Sequence, residues 1–190
     1  MQRSVPDEAT IVACLQQDNA SAEKAMSWVI DAYGRSLYSS IKRWTNSGEL
    51  TNDILQDVFV LVWRHRLSFK GNSSFFSWLY RIAYNETLQT LKKEKKQFSK
   101  SLDESFVALN NSAQQQQQID LSPEEISNLL LEAISTLPEK QRLVFEMKYF
   151  EEMKYEDIAA VTGGSVGGLK ANYFHATQKI EQYLLSKLNH

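Results

Sequence analysis

Glycine and proline are scarce in this chain, at seven and three among 190 residues. That scarcity constrains the fold more than any other feature. A many-stranded fold needs a turn about every 8–12 residues, and these two residue types make most of them. Helical periodicity stands in their place. Pro6-Asp7-Glu8 suits a first helical turn and precedes the apolar Ile11, Ala13, Cys14 and Leu15. Ala22, Ala25, Met26, Val29, Ile30 and Tyr33 recur at helical spacings, and Leu37, Ile41 and Trp44 make a third stripe. Thr51-Asn52-Asp53 is a capping sequence ahead of Ile54, Leu55, Val58, Phe59, Val62 and Trp63. Residues 69–73 read as a loop. Ser73 or Ser74 then caps a long helix through Phe75, Trp78, Leu79, Ile82 and Ala83 toward Lys96.

Residues 99–121 interrupt this pattern with Ser, Asn, Asp and a glutamine run from Gln114 to Gln118. Such a segment has nothing to pack and reads as a tether. Ser122-Pro123-Glu124-Glu125 restarts a helix with a cap, a proline and acids on the dipole. Leu129, Leu130, Ala133, Ile134 and Leu137 share one face, and Pro138 opens a further helix with Leu143, Val144, Met147 and Tyr149. The expected fold class is all-α. Two small helical domains, residues 1–97 and 122–190, are joined by a flexible acidic, Gln-rich linker at 98–121.

Composition removes several alternatives. Hydrophobic residues make up 43% of the chain, too many for wholesale disorder. One cysteine forms neither an internal disulfide nor a cysteine zinc site, and Cys14 in its apolar stripe reads as a buried thiol. No apolar run approaches the roughly 18 residues of a membrane span. The start, MQRSVPDEAT, has no secretory apolar stretch, so a cytoplasmic protein is expected. His65, His175 and His190 are scattered, and no paired-His, Cys–His or phosphate-loop motif is present. No enzyme, cofactor or metal site is expected.

The net charge of −2 argues at first against a nucleic-acid partner. Division along the chain reverses that. Residues 1–100 hold 14 Lys and Arg against 10 Asp and Glu, residues 101–138 hold six acids and no base, and residues 139–190 hold seven of each. The basic excess sits at Lys92, Lys93, Lys95, Lys96 and Lys100, where it makes either a phosphate-facing patch or a solvated helix end.

The sharpest signal is residues 154–176, KYEDIAAVTGGSVGGLKANYFHA. A short helix with Ile158, Ala159 and Val161 ends at Gly163-Gly164, which supplies the left-handed turn of a helix-turn-helix. Ser165 caps the second helix, whose buried stripe is Val166, Leu169, Tyr173, Ala176 and Ile180. Gly167, Gly168, Lys170, Ala171, Asn172 and His175 are left outward, where such a helix meets base edges and phosphates. An ordinary helical hairpin is the competing reading.

The stretch LPEKQRLVFEMKYFEEMKYEDIAAVTGGSVGGLKANYFHATQKI resembles the C-terminal promoter-binding region of bacterial sigma factors. The N-terminal stretch DILQDVFVLVWRHRLSFKGNSSFFSWLYRIAYNETLQTLKKEKK is similar to their segment for core-polymerase binding and promoter melting. The short two-domain size resembles the extracytoplasmic-function (ECF) group of the sigma-70 family. That resemblance implies a binding subunit that directs core RNA polymerase to promoters. The polymerase contacts would be the clamp coiled coil of the largest subunit and the flap. Asp53, Gln56 and Asp57 match the clamp-docking motif, and their i, i+3, i+4 spacing shares one helix face. Residues 69–96 look like the reader of the minus-ten element. The loop Lys70, Asn72 and Ser73 would hold a flipped base, Tyr80, Arg81, Tyr84 and Asn85 would face DNA, and Lys92, Lys93 and Lys96 would meet backbone phosphates. Ser165, Gly167, Gly168, Lys170, Ala171, Asn172 and His175 would read the minus-thirty-five element. Relatives often carry Arg after the lysine, and here only Lys170 and His175 remain. Many relatives are restrained by an anti-sigma protein, often a membrane-bound one. A conventional helix-turn-helix regulator has no use for the 53–96 motifs, which separates the two readings.

Overall fold

The computed structural model describes residues 5–45, 47–101 and 122–188, the last helical stretch before the gap (95–101) as backbone only. All regular structure among the described residues is helical: α1 (Glu8–Leu15), α2 (Asn19–Thr45), α3 (Gly48–His65), a 3-10 turn (Arg66–Ser68), α4 (Phe75–Ser101), α5 (Pro123–Ser135), α6 (Glu139–Tyr149), α7 (Tyr155–Thr162) and α8 (Val166–Leu188). They form two compact units, α1 to α4 in one and α5, α6, α8 and most of α7 in the other.

In the first unit, α2 packs against α1, α3 and α4, and α4 also packs on α3. Ile11, Leu15, Ala22, Ala25, Val29, Leu37, Ile41, Ile54, Val58, Val62, Phe75, Leu79 and Ala83 form its buried interior. The second and third expected stripes belong to one helix, because Gly34 lies inside α2 without ending it. α3 starts earlier than expected. Ser47 is the cap, its hydroxyl accepting from Leu50 N–H, while Thr51 is buried and donates its hydroxyl to the Ser47 carbonyl. Cys14 is half-buried rather than enclosed.

The N-termini of the other helices follow their sequence signals. Asp7 accepts from Thr10 N–H at 3.0 Å, and hydrogen bonding from the Thr10 side chain first and its N–H second holds the Asp7 carboxyl below the usual range. Ser122 and Glu125 form a reciprocal capping box with Pro123 inside it. α4 runs to Ser101, four residues into the span 98–121 expected as linker. The rest of that span, 102–121, lies outside the described residues.

In the second unit, Ala133, Ile134, Leu137, Phe145, Ala176 and Ile180 form a buried cluster with Leu130, Phe150, Tyr173, Tyr183 and Leu184 packed on it. α8 thus gains its place from α5 and α6, against which it packs along its length. Tyr149 is exposed, contrary to its expected place on the inner face of α6.

Two glycines give opposite expectations. A Cβ on Gly34 would make ordinary contacts, 3.7 Å from Phe59 and 3.8 Å from Ile30. Gly34→Ala should therefore stabilise the first unit by about 0.5–1 kcal/mol through helix propensity. Gly163 has φ +75, so Gly163→Ala should cost about 1–2 kcal/mol in the second unit. Thermal unfolding of the two variants should move in opposite directions.

Candidate nucleic-acid interface

Three surfaces collect the residues singled out by the sequence. The first is the outer side of α3. Thr51, Ile54, Val58 and Val62 are buried at spacings of three and four, which turns Asn52, Asp53, Gln56 and Asp57 outward. Beside them α2 and α3 border an open apolar groove of about 570 Å³, lined by Met26, Ile30, Leu55, Phe59, Val60 and Trp63, with Asn52 and Gln56 at its polar margin. Ile30 and Val60 are exposed within it. Trp63 is fixed by Arg66. The guanidinium lies 4.2 Å from the ring centroid, Nη1 donates to the Trp63 carbonyl at 2.9 Å, and Nη2 donates to Asn19 Oδ1 at 2.9 Å. The surface is an apolar trough with carboxylates beside it, a shape suited to a partner helix carrying both apolar and basic groups.

The second surface is the loop before α4 and the outer side of that helix. Phe69 and Phe75 stand at the two ends of the loop with ring centroids 5.3 Å apart, and Trp78 packs on both rings at 5.6 Å. Residues 70–74 therefore form a closed protrusion. Lys70, Gly71, Asn72 and Ser74 are exposed and Ser73 half-buried. Gly71 has φ +71, a left-handed conformation that a side chain would strain. α1 ties both ends of the protrusion. Gln16 Nε2 donates to the Phe69 carbonyl at 2.8 Å, and Glu8 Oε1 accepts from Phe75 N–H at 2.9 Å. The other Glu8 oxygen accepts from the Tyr33 hydroxyl at 3.5 Å. Burial first and the Glu8 charge second push the Tyr33 hydroxyl up, which keeps it protonated and donating. Ser74 caps α4 by accepting from Ser77 N–H at 3.2 Å.

Along α4, Arg81, Asn85, Lys92 and Lys93 are exposed and Tyr84 is half-buried. Tyr80 corrects the sequence reading. It is fully buried, edge-on to Trp44 at 5.3 Å and to Phe76 at 5.7 Å, and so unavailable to stack on a base. The cause is that α4 packs on two helices at once, so its buried arc is wide enough to include Leu79 and Tyr80 together. Tyr84 stands edge-on to Trp44 at 5.6 Å and is half-buried. The side chains of Lys95, Lys96 and Lys100 lie outside the described residues.

The third surface is the pair α7 and α8. Gly163 ends α7 in the left-handed conformation, its N–H donating to the Ala159 carbonyl at 2.8 Å. Two residues later Ser165 caps α8, its hydroxyl accepting from Gly168 N–H at 3.2 Å. A Cβ on Gly168 would stand 3.1 Å from that hydroxyl, so the cap itself favours glycine there. Tyr155 on α7 meets Tyr173 on α8 edge-on at 6.4 Å. Burial and that neighbour push the Tyr155 hydroxyl up. Lys148 and Lys170 each place an ammonium over the Tyr155 ring, at 5.2 and 5.7 Å. Gly167, Gly168, Lys170, Ala171 and His175 are exposed, whereas Asn172 is half-buried at the margin of the face. Phe174, not singled out from sequence, is 56% exposed on the same side.

Known proteins match this arrangement in order. Residues 29–97 match the family description Sigma-70 region 2, and residues 127–180 match Sigma-70, region 4. The ECF RNA polymerase sigma-E factor of Escherichia coli is 28% identical over 166 residues, covering 84% of this chain and 86% of that protein. The sigma-E factor of Haemophilus influenzae is 24% identical over 187 residues, covering 95% and 96%. Among solved structures, the Bartonella quintana sigma factor RpoE in complex with the anti-sigma factor NepR has a TM-score of 0.65 at 22% identity, covering 85% of this chain and 97% of that one. CnrH in complex with the cytosolic domain of CnrY has a TM-score of 0.67 at 17% identity, covering 94% and 97%. This chain belongs to the sigma-70 family, in its ECF group. Members of that family bind core RNA polymerase and promoter DNA and serve promoter-specific transcription initiation. No helix among the described residues is long and apolar enough to cross a membrane.

The tie between α1 and the loop has a direct consequence. Glu8→Ala should leave the α4 N-terminus without its carboxylate and lower stability by about 1 kcal/mol. Hydrogen exchange should quicken over residues 69–77 and stay unchanged in α8. Equal quickening in both units would contradict a local role for Glu8.

Proposed function

We propose that this chain directs core polymerase to promoters through three separate surfaces, acting in the cytoplasm as a non-catalytic subunit. The α2–α3 groove receives the clamp coiled coil of the polymerase, with Asp53, Gln56 and Asp57 facing its basic side chains. The protrusion Lys70, Asn72 and Ser73 holds an unstacked base of the minus-ten element. Arg81, Tyr84 and Asn85 line the track, and Lys92, Lys93 and Lys96 meet phosphates. The pair α7 and α8 enters the major groove upstream, with Ser165, Gly167, Gly168, Lys170, Ala171, Asn172 and His175 on or beside the contact face. The polymerase flap is the partner expected for the C-terminal unit.

The observation that carries this reading is the closed protrusion at 70–74. Its ends are sealed by Phe69, Phe75 and Trp78 and tied by Gln16 and Glu8, while Lys70, Gly71 and Asn72 between them are exposed and Ser73 is half-buried. A structure of that kind spends conformational freedom to hold polar side chains in fixed positions without packing them. That is what capture of a single base requires. The anti-sigma complexes of RpoE and CnrH support a further part of the reading, an inhibitor that masks these surfaces until transcription is needed.

Reconstitution tests the whole. Mixed with core polymerase, the chain should give run-off transcripts from matched promoters and a complex that survives gel filtration. Asp57→Arg should weaken that complex at least tenfold and leave thermal stability within about 0.5 kcal/mol, since Asp57 is exposed. Failure of the wild-type chain to form the complex would sink the reading.

A further inference from the structure

α1 grips the 70–74 loop through backbone groups. Glu8, the first residue of α1, accepts from Phe75 N–H at 2.9 Å. Gln16, the residue that caps the other end of α1, donates to the Phe69 carbonyl at 2.8 Å. Neither bond uses a side chain of the loop. Phe75 N–H belongs to the first turn of α4, where the helix itself supplies no acceptor. The second Glu8 oxygen accepts from the Tyr33 hydroxyl at 3.5 Å, and the Tyr33 ring stacks on Phe76 at 5.8 Å. Glu8 therefore joins α1, α2 and α4 at the point where the loop ends.

Both bonds come from one short helix. Glu8 and Gln16 stand at its two ends, about 12 Å apart along the axis. Ile11 and Leu15 between them are buried, and α1 packs on α2. A helix of eight residues does not persist in water without such packing. α1 is therefore seated with both bonds in reach or unseated with neither. A short loop released at one end regains much of its conformational freedom, so one lost bond undoes most of what two achieve. The match to region 2 covers residues 29–97, which leaves α1 outside it. Bonds to the loop backbone carry no information about base identity. They alter only the ordering that capture of a base demands, and a loop already in place pays less of it.

We infer that Glu8 and Gln16 are positioning residues, acting through α1 as one two-point clamp that sets how tightly the loop holds a base but not which base it holds. The inference rests on the reading of residues 70–74 as a base-capturing loop. Its consequence is specific. A loop freed from the clamp must be ordered whenever it takes a base, whichever base that is. An abasic site demands no such ordering. Loss of the clamp therefore weakens DNA that presents a base, spares DNA that presents none, and leaves the ranking of the four bases as it was.

The test uses holoenzyme assembled from the full chain and core polymerase, bound to promoter DNA with a pre-opened minus-ten segment. Each base of that segment is replaced singly by an abasic site, and the sensitive position is then filled with each of the four bases. Glu8→Ala and Gln16→Ala should each weaken binding of the base-bearing DNA roughly three- to tenfold, the scale of ordering a freed side chain or two. Binding of the abasic DNA, the ranking of the four bases and assembly with core polymerase should be unchanged. The double variant should fall within about twofold of the weaker single one, because the two bonds act as a unit. Glu8→Gln keeps an acceptor for Phe75 N–H and a partner for the Tyr33 hydroxyl, and should bind as the wild type does. Equal weakening on base-bearing and abasic DNA, multiplying factors in the double variant, failure of Glu8→Gln to rescue, or loss of core binding would each overturn the clamp and leave the loop reading standing. A wild type indifferent to every abasic site would overturn both.

Discussion

A continuous row of aromatic rings holds the first unit in the shape its surfaces need. Tyr33 stacks on Phe76, Phe76 meets Tyr80, Tyr80 meets Trp44, and Trp44 meets Tyr84, so the row zips α2 to α4 over two turns and more. Phe75 joins Tyr33 at 5.9 Å and carries the row into Phe69 and Trp78 at the loop. Such pairs contribute about 0.5–1.5 kcal/mol each beyond the area they bury. Their more important effect is geometric. Rings packed edge-on and stacked leave little freedom to the segment between Phe69 and Phe75. The polar tip of the loop is thereby fixed without packing contacts of its own.

The same row shows where the sequence is legible and where it is not. Caps are local chemistry, so Asp7, Ser74, Ser122, Gly163 and Ser165 could be found by reading a few neighbours. Periodicity located Ile54, Val58 and Val62 of α3 and Leu169, Ala176 and Ile180 of α8, but the same stripes also put Leu55, Phe59, Trp63, Val166 and Tyr173 inside, and these are only half-buried. Tyr80 defeated that approach because the width of a buried arc depends on how many helices a helix touches, a tertiary property. A tyrosine next to Leu79 looks like the edge of a narrow stripe until α2 and α3 are both in place. The start of α3 differs from its sequence signal as well. Thr51 caps well in isolation, but here it is buried and bonded to Ser47 and Thr45.

The apolar groove beside α3 has its own signal in the sequence. Ile54, Leu55, Val58, Phe59, Val60, Val62 and Trp63 are more apolar residues than one packed face of an α-helix holds. The surplus is Leu55, Phe59, Val60 and Trp63, which with Met26 and Ile30 line the trough. Phe174 left the same kind of signal on α8, an apolar residue outside the buried stripe. In both places the exposed apolar group marks a candidate contact surface. The near-neutral total charge follows the same division of labour. Cations gather on α4, acids in the segment after it, and the C-terminal unit is balanced in charge, a distribution that suits the proposed binding to DNA as part of a larger complex.

Permanganate oxidation of unpaired thymines tests the central claim, that the closed 70–74 protrusion holds promoter DNA open. Wild-type holoenzyme should expose thymines around the start site of a matched promoter. Lys70→Ala with Asn72→Ala should assemble with core polymerase as well as the wild type and expose them at least severalfold more slowly. Equal exposure by both would contradict the claim and return the loop to the ordinary solvated surface.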